Sequence, residues 1–162
     1  MDIGAGTGRD AACFAEMGHQ VVAVEPLDAM RIPAMALHQS PRIEWLDDSL
    51  PDLAVLRERG ERFDLVMLTA LWMHLDAAQR IRAMQNVAAL TRSGATVVMT
   101  IRHGPVPPGR RMFDVSADET IELAAMHALY PVLREHREST QAQNRAAGIT
   151  WSVVAFVKAA GT

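Results

Sequence analysis

One stretch restricts this chain more than any other: Asp2-Ile3-Gly4-Ala5-Gly6-Thr7-Gly8, followed by Arg9-Asp10 and a helix-like run. It reads as the end of a buried strand, a glycine turn and a helix opening. Glycines at alternating positions let the backbone turn tightly and approach a ligand closely, because no Cβ intervenes. The N–H groups at the following helix start add donors and the positive end of a dipole. Spacing narrows the ligand. The dinucleotide fingerprint G-x-G-x-x-G fails, because Arg9 stands where counting from Gly4 needs its third glycine. A P-loop fails too, since no Gly-Lys-Ser/Thr follows. The pattern that remains is D-x-G-x-G-x-G.

The rest of the chain supplies partners for that turn. Residues 9–17 read as a helix with Ala12, Phe14 and Ala15 on its apolar side, stopped by Gly18. Residues 20–25, Q-V-V-A-V-E, form an apolar strand of the kind buried on both faces of a parallel sheet. It ends in Glu25, an acid placed to accept hydrogen bonds from ribose hydroxyls, and Pro26 and Leu27 offer a wall for a base. Asp28 is expected to cap a helix over residues 29–38, which Pro33 should kink or start late. Strands are expected at 42–47, 63–68, 95–101, 131–136 and 149–158. A short helix over 52–59 should end at Gly60, and Arg92-Ser93-Gly94 should turn. Asp76 with Gln79, and Ser116 with Glu119, read as capping boxes. The second of these should open a helix reaching about Tyr130. Along the helix after Asp76, Ala77, Ile81, Met84 and Ala88 should face the sheet. Residues 140–148 read as a polar loop. Trp72 reads either as a pocket wall or as core.

Composition removes several function classes. A net charge of -3 gives no broad basic field for phosphate contacts, so no nucleic-acid partner is expected. Cys13 is the only cysteine, which leaves no intrachain disulfide and no cysteine-based zinc cluster, and no metal site is expected. Cys13 itself reads as a small packed residue. No apolar run reaches membrane-spanning length and no signal-peptide pattern opens the chain, so a soluble cytoplasmic protein is expected.

Four segments in order, D-I-G-A-G-T-G, V-V-A-V-E-P, L-D-D-S-L-P and L-T-A-L-W-M-H-L, resemble the class I S-adenosylmethionine-dependent methyltransferases. The resemblance runs over essentially the whole chain. It implies one α/β domain over residues 1–162, with a Rossmann-like, doubly wound, mostly parallel sheet of about seven strands in the order 3-2-1-4-5-7-6. The last strand of that sheet is antiparallel. S-adenosylmethionine is the implied cofactor, held by Asp2, Gly4, Ala5, Gly6, Gly8, Asp10, Glu25, Pro26, Asp48, Ser49, Thr69 and Ala70. Asp48, with Asp47 second, is the implied acid for the exocyclic amine of adenine, and the Ser49 backbone is a donor to a ring nitrogen. Thr69 to Trp72 should line the methionine end. His74 and then His103, both after strand carboxyl ends, are the candidate bases for a small-molecule acceptor.

The resemblance also implies helices ahead of the first strand and several apolar residues before its acid, whereas this sequence opens at Met1-Asp2. A start further upstream, or a shortened form with a weakened central strand, is the expectation. Restored upstream residues should then raise stability. The alternative function is a non-catalytic or truncated S-adenosylmethionine-binding module that needs upstream residues or a partner chain. An NAD-dependent oxidoreductase is disfavoured by Arg9. A nucleic-acid methyltransferase is disfavoured by Thr69-Ala70-Leu71-Trp72, which stands where an N/D-P-P-Y/F/W motif would be.

Overall fold

The computed structural model describes residues 1–160. Its sheet is arranged around β1 (Asp2–Ile3), which pairs in parallel with β2 (Val21–Val24) and with β4 (Phe63–Thr69). β3 (Ile43–Leu46) lies outside β2, and β5 (Thr91–His103) lies outside β4, both in parallel. β7 (Thr150–Lys158) runs antiparallel between β5 and β6 (Leu129–Glu138). The order is β3-β2-β1-β4-β5-β7-β6, as the resemblance implies. Six helices join the strands: α1 (Arg9–Glu16), α2 (Asp28–Leu37), α3 (Ala54–Arg59), α4 (Ala77–Leu90), α5 (Ala117–Ala125) and α6 (Ala142–Ala146).

Alternation along the strands divides the core in two. Val66, Leu68, Val97, Met99, Ile101 and Phe156 belong to a large cluster with residues of α4 and α5. Val21, Ala23 and Ile43 pack with Ala11 and Ala15 of α1 in a smaller one. All four residues of β2 are buried, which accounts for its unbroken apolar run.

Several local expectations are corrected. Asp28 is the first residue of α2 rather than its cap, and its carboxylate pairs with Arg31. The helix runs through Pro33 without a break, and only Ala34 of α2 is buried, so water can serve a carbonyl that Pro33 leaves unpaired. On α4, Ala77 and Ile81 face solvent, and the buried stripe is Arg80, Ala83, Met84, Val87 and Ala88. The stripe is rotated because Arg80 is buried, donating to the Leu75 carbonyl and to Glu119. That second bond also takes up the side chain expected to close the capping box with Ser116, although Ser116 Oγ still accepts from the Glu119 N–H. Arg92-Ser93-Gly94 lies inside β5 opposite a register shift, not in a free turn. α5 ends at Ala125, and β6 starts at Leu129, just after Ala128 at φ 58°. The 140–148 loop contains α6. Cys13 is exposed rather than packed.

A cavity of about 850 Å³ lies at the amino ends of the strands beside Met1, Val22, Phe63 and Leu65. The glycine turn is at the carboxyl ends, so this cavity is not the candidate site.

Candidate functional site

The glycine turn leaves β1 at the crevice where the strand order reverses, between β2 and β4. Ligands of open α/β sheets bind at such a point. Both Gly4 N–H and Ala5 N–H donate to the Val24 carbonyl, at 2.8 and 3.0 Å, which anchors the turn to the end of β2. Gly8 N–H closes it onto the Ala5 carbonyl at 2.8 Å. The glycines have different tasks. A Cβ on Gly8 would stand 2.6 Å from Trp45 Cη2, and one on Gly4 would stand 2.9 Å from Leu71 Cδ2. At Gly6 the nearest atom outside the turn is Met30 Cε, at 3.8 Å. Packing therefore excludes a Cβ at Gly8, would force Leu71 to shift for one at Gly4, and leaves Gly6 with ordinary contacts only.

Glu25 is buried behind the turn and its carboxylate joins two backbones. Oε2 accepts from Gly6 N–H at 2.9 Å and Oε1 from Leu27 N–H at 3.0 Å. Arg31 braces the same corner, donating to the Glu25 carbonyl at 2.6 Å and standing 3.4 Å from Asp47. Asp2 is 2 % exposed, and its Oδ2 has no hydrogen-bond partner among the described residues. Burial first, and Asp10 second, push its carboxyl up to about 6, while the nearby amino terminus and the Ala11 N–H oppose the shift. Asp10 accepts from Thr69 Oγ1 at 2.8 Å, tying α1 to the end of β4. Next in the chain, Ala70 holds φ 55° and donates its N–H to Thr100 Oγ1 at 2.8 Å. Asp2, the glycines, Asp10, Glu25, Thr69 and Ala70 are thus brought together.

The expected adenine end is arranged differently from a free acid. Asp48 is buried, and both its oxygens accept backbone N–H groups, from Ser49 at 2.9 Å and Leu56 at 3.0 Å. Asp47 is the exposed acid of the pair. Pro26 and Ser49 are exposed, as is Leu27.

The histidines occupy separate settings. His74 is in a 3₁₀ turn, Trp72–His74, after β4, and its Nδ1 lies 2.8 Å from the Arg111 carbonyl. A carbonyl only accepts, so Nδ1 carries the hydrogen and neutral His74 has its lone pair on Nε2. Phe113 N–H donates to the Met73 carbonyl, and Arg111 pairs with Asp76. The segment after β5 is therefore fastened across this turn. His103 ends β5 with Nε2 2.8 Å from Ser152 Oγ and its ring 5.8 Å from that of His136. Burial, then His136, lower its pKa, against a smaller opposing effect of Asp114. Trp72 is core: it is fully buried, with Nε1 donating to Thr120 at 3.2 Å.

Sequence reasoning missed Thr100, Trp45, Arg31 and Arg111. Thr100 had a legible signal, being a hydroxyl in a strand expected beside β4. Arg31 reaches the Glu25 carbonyl only six residues back, whereas Trp45 and Arg111 touch the site through long-range packing that no local pattern announces.

Seven strands in this order, with a D-x-G-x-G-x-G turn at the switch point, define a Rossmann-like class I methyltransferase architecture. The family model described as a methyltransferase domain matches residues 1–94, more than half of the chain, and the protein belongs to that family. Solved structures share the fold. The 1,6-didemethyltoxoflavin-N1-methyltransferase of Burkholderia thailandensis, with S-adenosylhomocysteine bound, superposes with a TM-score of 0.75 at 23% identity, covering 98% of this chain and 70% of that one. A putative S-adenosylmethionine-dependent methyltransferase of Listeria monocytogenes gives 0.76 at 13% identity, over 98% and 90%. The N-methyltransferase NodS of Bradyrhizobium japonicum, in complex with S-adenosylhomocysteine, gives 0.74 at 17%, over 97% and 76%. Among curated proteins none matches the chain. Among the described residues no helix is long and apolar enough to cross a membrane.

Proposed function

We propose that this domain binds S-adenosylmethionine at the glycine turn and catalyses methyl transfer to a small-molecule acceptor. The observation that carries this reading is the turn itself: Gly6, where a Cβ would meet no closer atom than Met30 Cε at 3.8 Å, with the Glu25 carboxylate behind it. The cradle fits the group. A turn without a Cβ at Gly6 admits close approach, and Glu25 keeps lone pairs beyond the two used by backbone.

The cofactor, when bound, supplies a methyl group made electrophilic by its sulfonium. The chain's own residues then orient and exclude water. Glu25 would accept from the ribose hydroxyls, Leu27 and Pro26 would cover the base, and Asp47, exposed beside Arg31, would meet its amine. Asp48 and Ser49 shape that turn. Thr69, Ala70 and Leu71 form the wall between turn and acceptor, stiffened by Asp10 and Thr100. Alignment of two bound reactants is the main source of rate in such a site. His74 Nε2 is the nitrogen set to take a proton from an oxygen or nitrogen acceptor. His103, engaged with Ser152 and held towards its neutral form, is the second candidate.

Calorimetry with S-adenosylhomocysteine and with NAD tests the reading. Binding of the sulfur cofactor in preference to NAD is expected. Heat from NAD alone would overturn it. Glu25→Ala should weaken S-adenosylhomocysteine binding by about 1.5–3 kcal/mol, the worth of charge-assisted hydrogen bonds. An unchanged dissociation constant in the folded variant would remove Glu25 from the site.

A further inference from the structure

We infer that His38, the residue that closes α2, is a positioning residue for the glycine turn; the inference rests on the cofactor reading above. Its Nε2 lies 3.0 Å from the Thr7 carbonyl. That oxygen only accepts, so Nε2 carries the hydrogen. The ring is delivered from a fixed point, because His38 N–H bonds the Ala34 carbonyl at 2.9 Å and the His38 carbonyl takes Ser40 N–H at 2.9 Å. Trp45 meets the same side of the turn. A Cβ on Gly8 would approach both rings, at 2.6 Å from Trp45 and 2.9 Å from His38.

The consequence follows from peptide geometry. In the planar trans peptide between Thr7 and Gly8, the C=O and the N–H point in opposite directions. Holding the Thr7 oxygen outward on His38 holds Gly8 N–H inward on the Ala5 carbonyl. That bond closes the turn on either side of Gly6, whose N–H faces Glu25. Without the His38 anchor the peptide is free to rotate, and the turn around Gly6 loses its fixed shape. His38 touches no reacting atom in this account; it acts through the turn.

The test uses the full chain with S-adenosylhomocysteine as probe, together with amide hydrogen exchange at Gly8. His38→Ala should weaken binding by about three- to tenfold, the effect of one hydrogen bond. It should also speed exchange at Gly8 and leave the melting temperature close to that of the parent. His38→Gln, which keeps an N–H at similar reach, should restore most of both. If the parent binds the probe and His38→Ala binds it equally well, the inference fails while the cofactor reading stands. If the parent does not bind, the cofactor reading fails. Gly8 exchange then decides the anchor alone: faster exchange in His38→Ala upholds it, and unchanged exchange overturns it.

Discussion

At the scale of single residues, the three turn glycines separate packing from recognition. Gly8 has φ 79°, and Trp45 fills the space beside it. Gly8→Ala therefore combines a left-handed penalty of about 1–2 kcal/mol with a steric clash, and should cost well over that in denaturant unfolding. Gly6→Ala meets the same backbone penalty at φ 56° but no close atom. It should lose about 1–2 kcal/mol of stability, less than Gly8→Ala, and should also lose S-adenosylhomocysteine affinity. Equal stability losses for the two would contradict this division. Asp2 supplies a pH signature. Its folded pKa of about 6 lies above the ordinary carboxyl value of 3.8, so the folded state binds the proton more tightly. Its contribution is fully present below pH 4 and is lost as pH rises through 6, a change of up to about 3 kcal/mol. Asp2→Asn, which does not titrate, should gain stability relative to the parent between pH 4 and 7 in urea melts. A parallel pH dependence for both proteins would assign that slope elsewhere.

At the scale of elements, α4 provides the sharpest check. Its buried stripe follows Arg80, so Val87→Ala should cost about 2–4 kcal/mol, while Ile81→Ala, at an exposed position, should stay within about 0.5 kcal/mol. Chemical denaturation of the two variants measures the difference directly. The sequence pattern placed Ile81 on the sheet because it counted hydrophobic residues and took arginine as polar. Arg80 is buried only because Leu75 and Glu119 meet its guanidinium, and those partners come from outside the helix. The same distinction runs through the site. The glycine turn, the apolar β2 and Glu25 were readable because their signals are local: spacing, an unbroken apolar run and an acid at its end. The inward commitment of Asp48 was not, because Leu56 reaches it only after α3 folds back. Nor were Trp45 and His38, which meet Gly8 only once β3 has paired with β2 and α2 has packed in place.

At the scale of the whole molecule, the glycine turn gathers contacts from four parts of the chain: the end of β2 through Val24 and Glu25, the end of α2 through His38, β3 through Trp45 and the segment after β4 through Leu71. A ligand seated there would touch groups whose arrangement exists only in the folded sheet, and would therefore stabilise folding by mass action. At a hundredfold excess over its dissociation constant, a ligand specific to the native state adds about 2.7 kcal/mol. For a domain of this size that corresponds to a rise in melting temperature of roughly 5–10 °C. S-adenosylhomocysteine should produce this rise, growing with the logarithm of ligand concentration, and NAD at the same concentrations should not. Glu25→Ala should reduce the rise because it removes the acceptor of the Gly6 and Leu27 N–H groups. Val87→Ala, far from the crevice in the α4 core, should lower the starting melting temperature and leave the increment intact. A shift equally large in the Glu25 variant would place the ligand away from the turn.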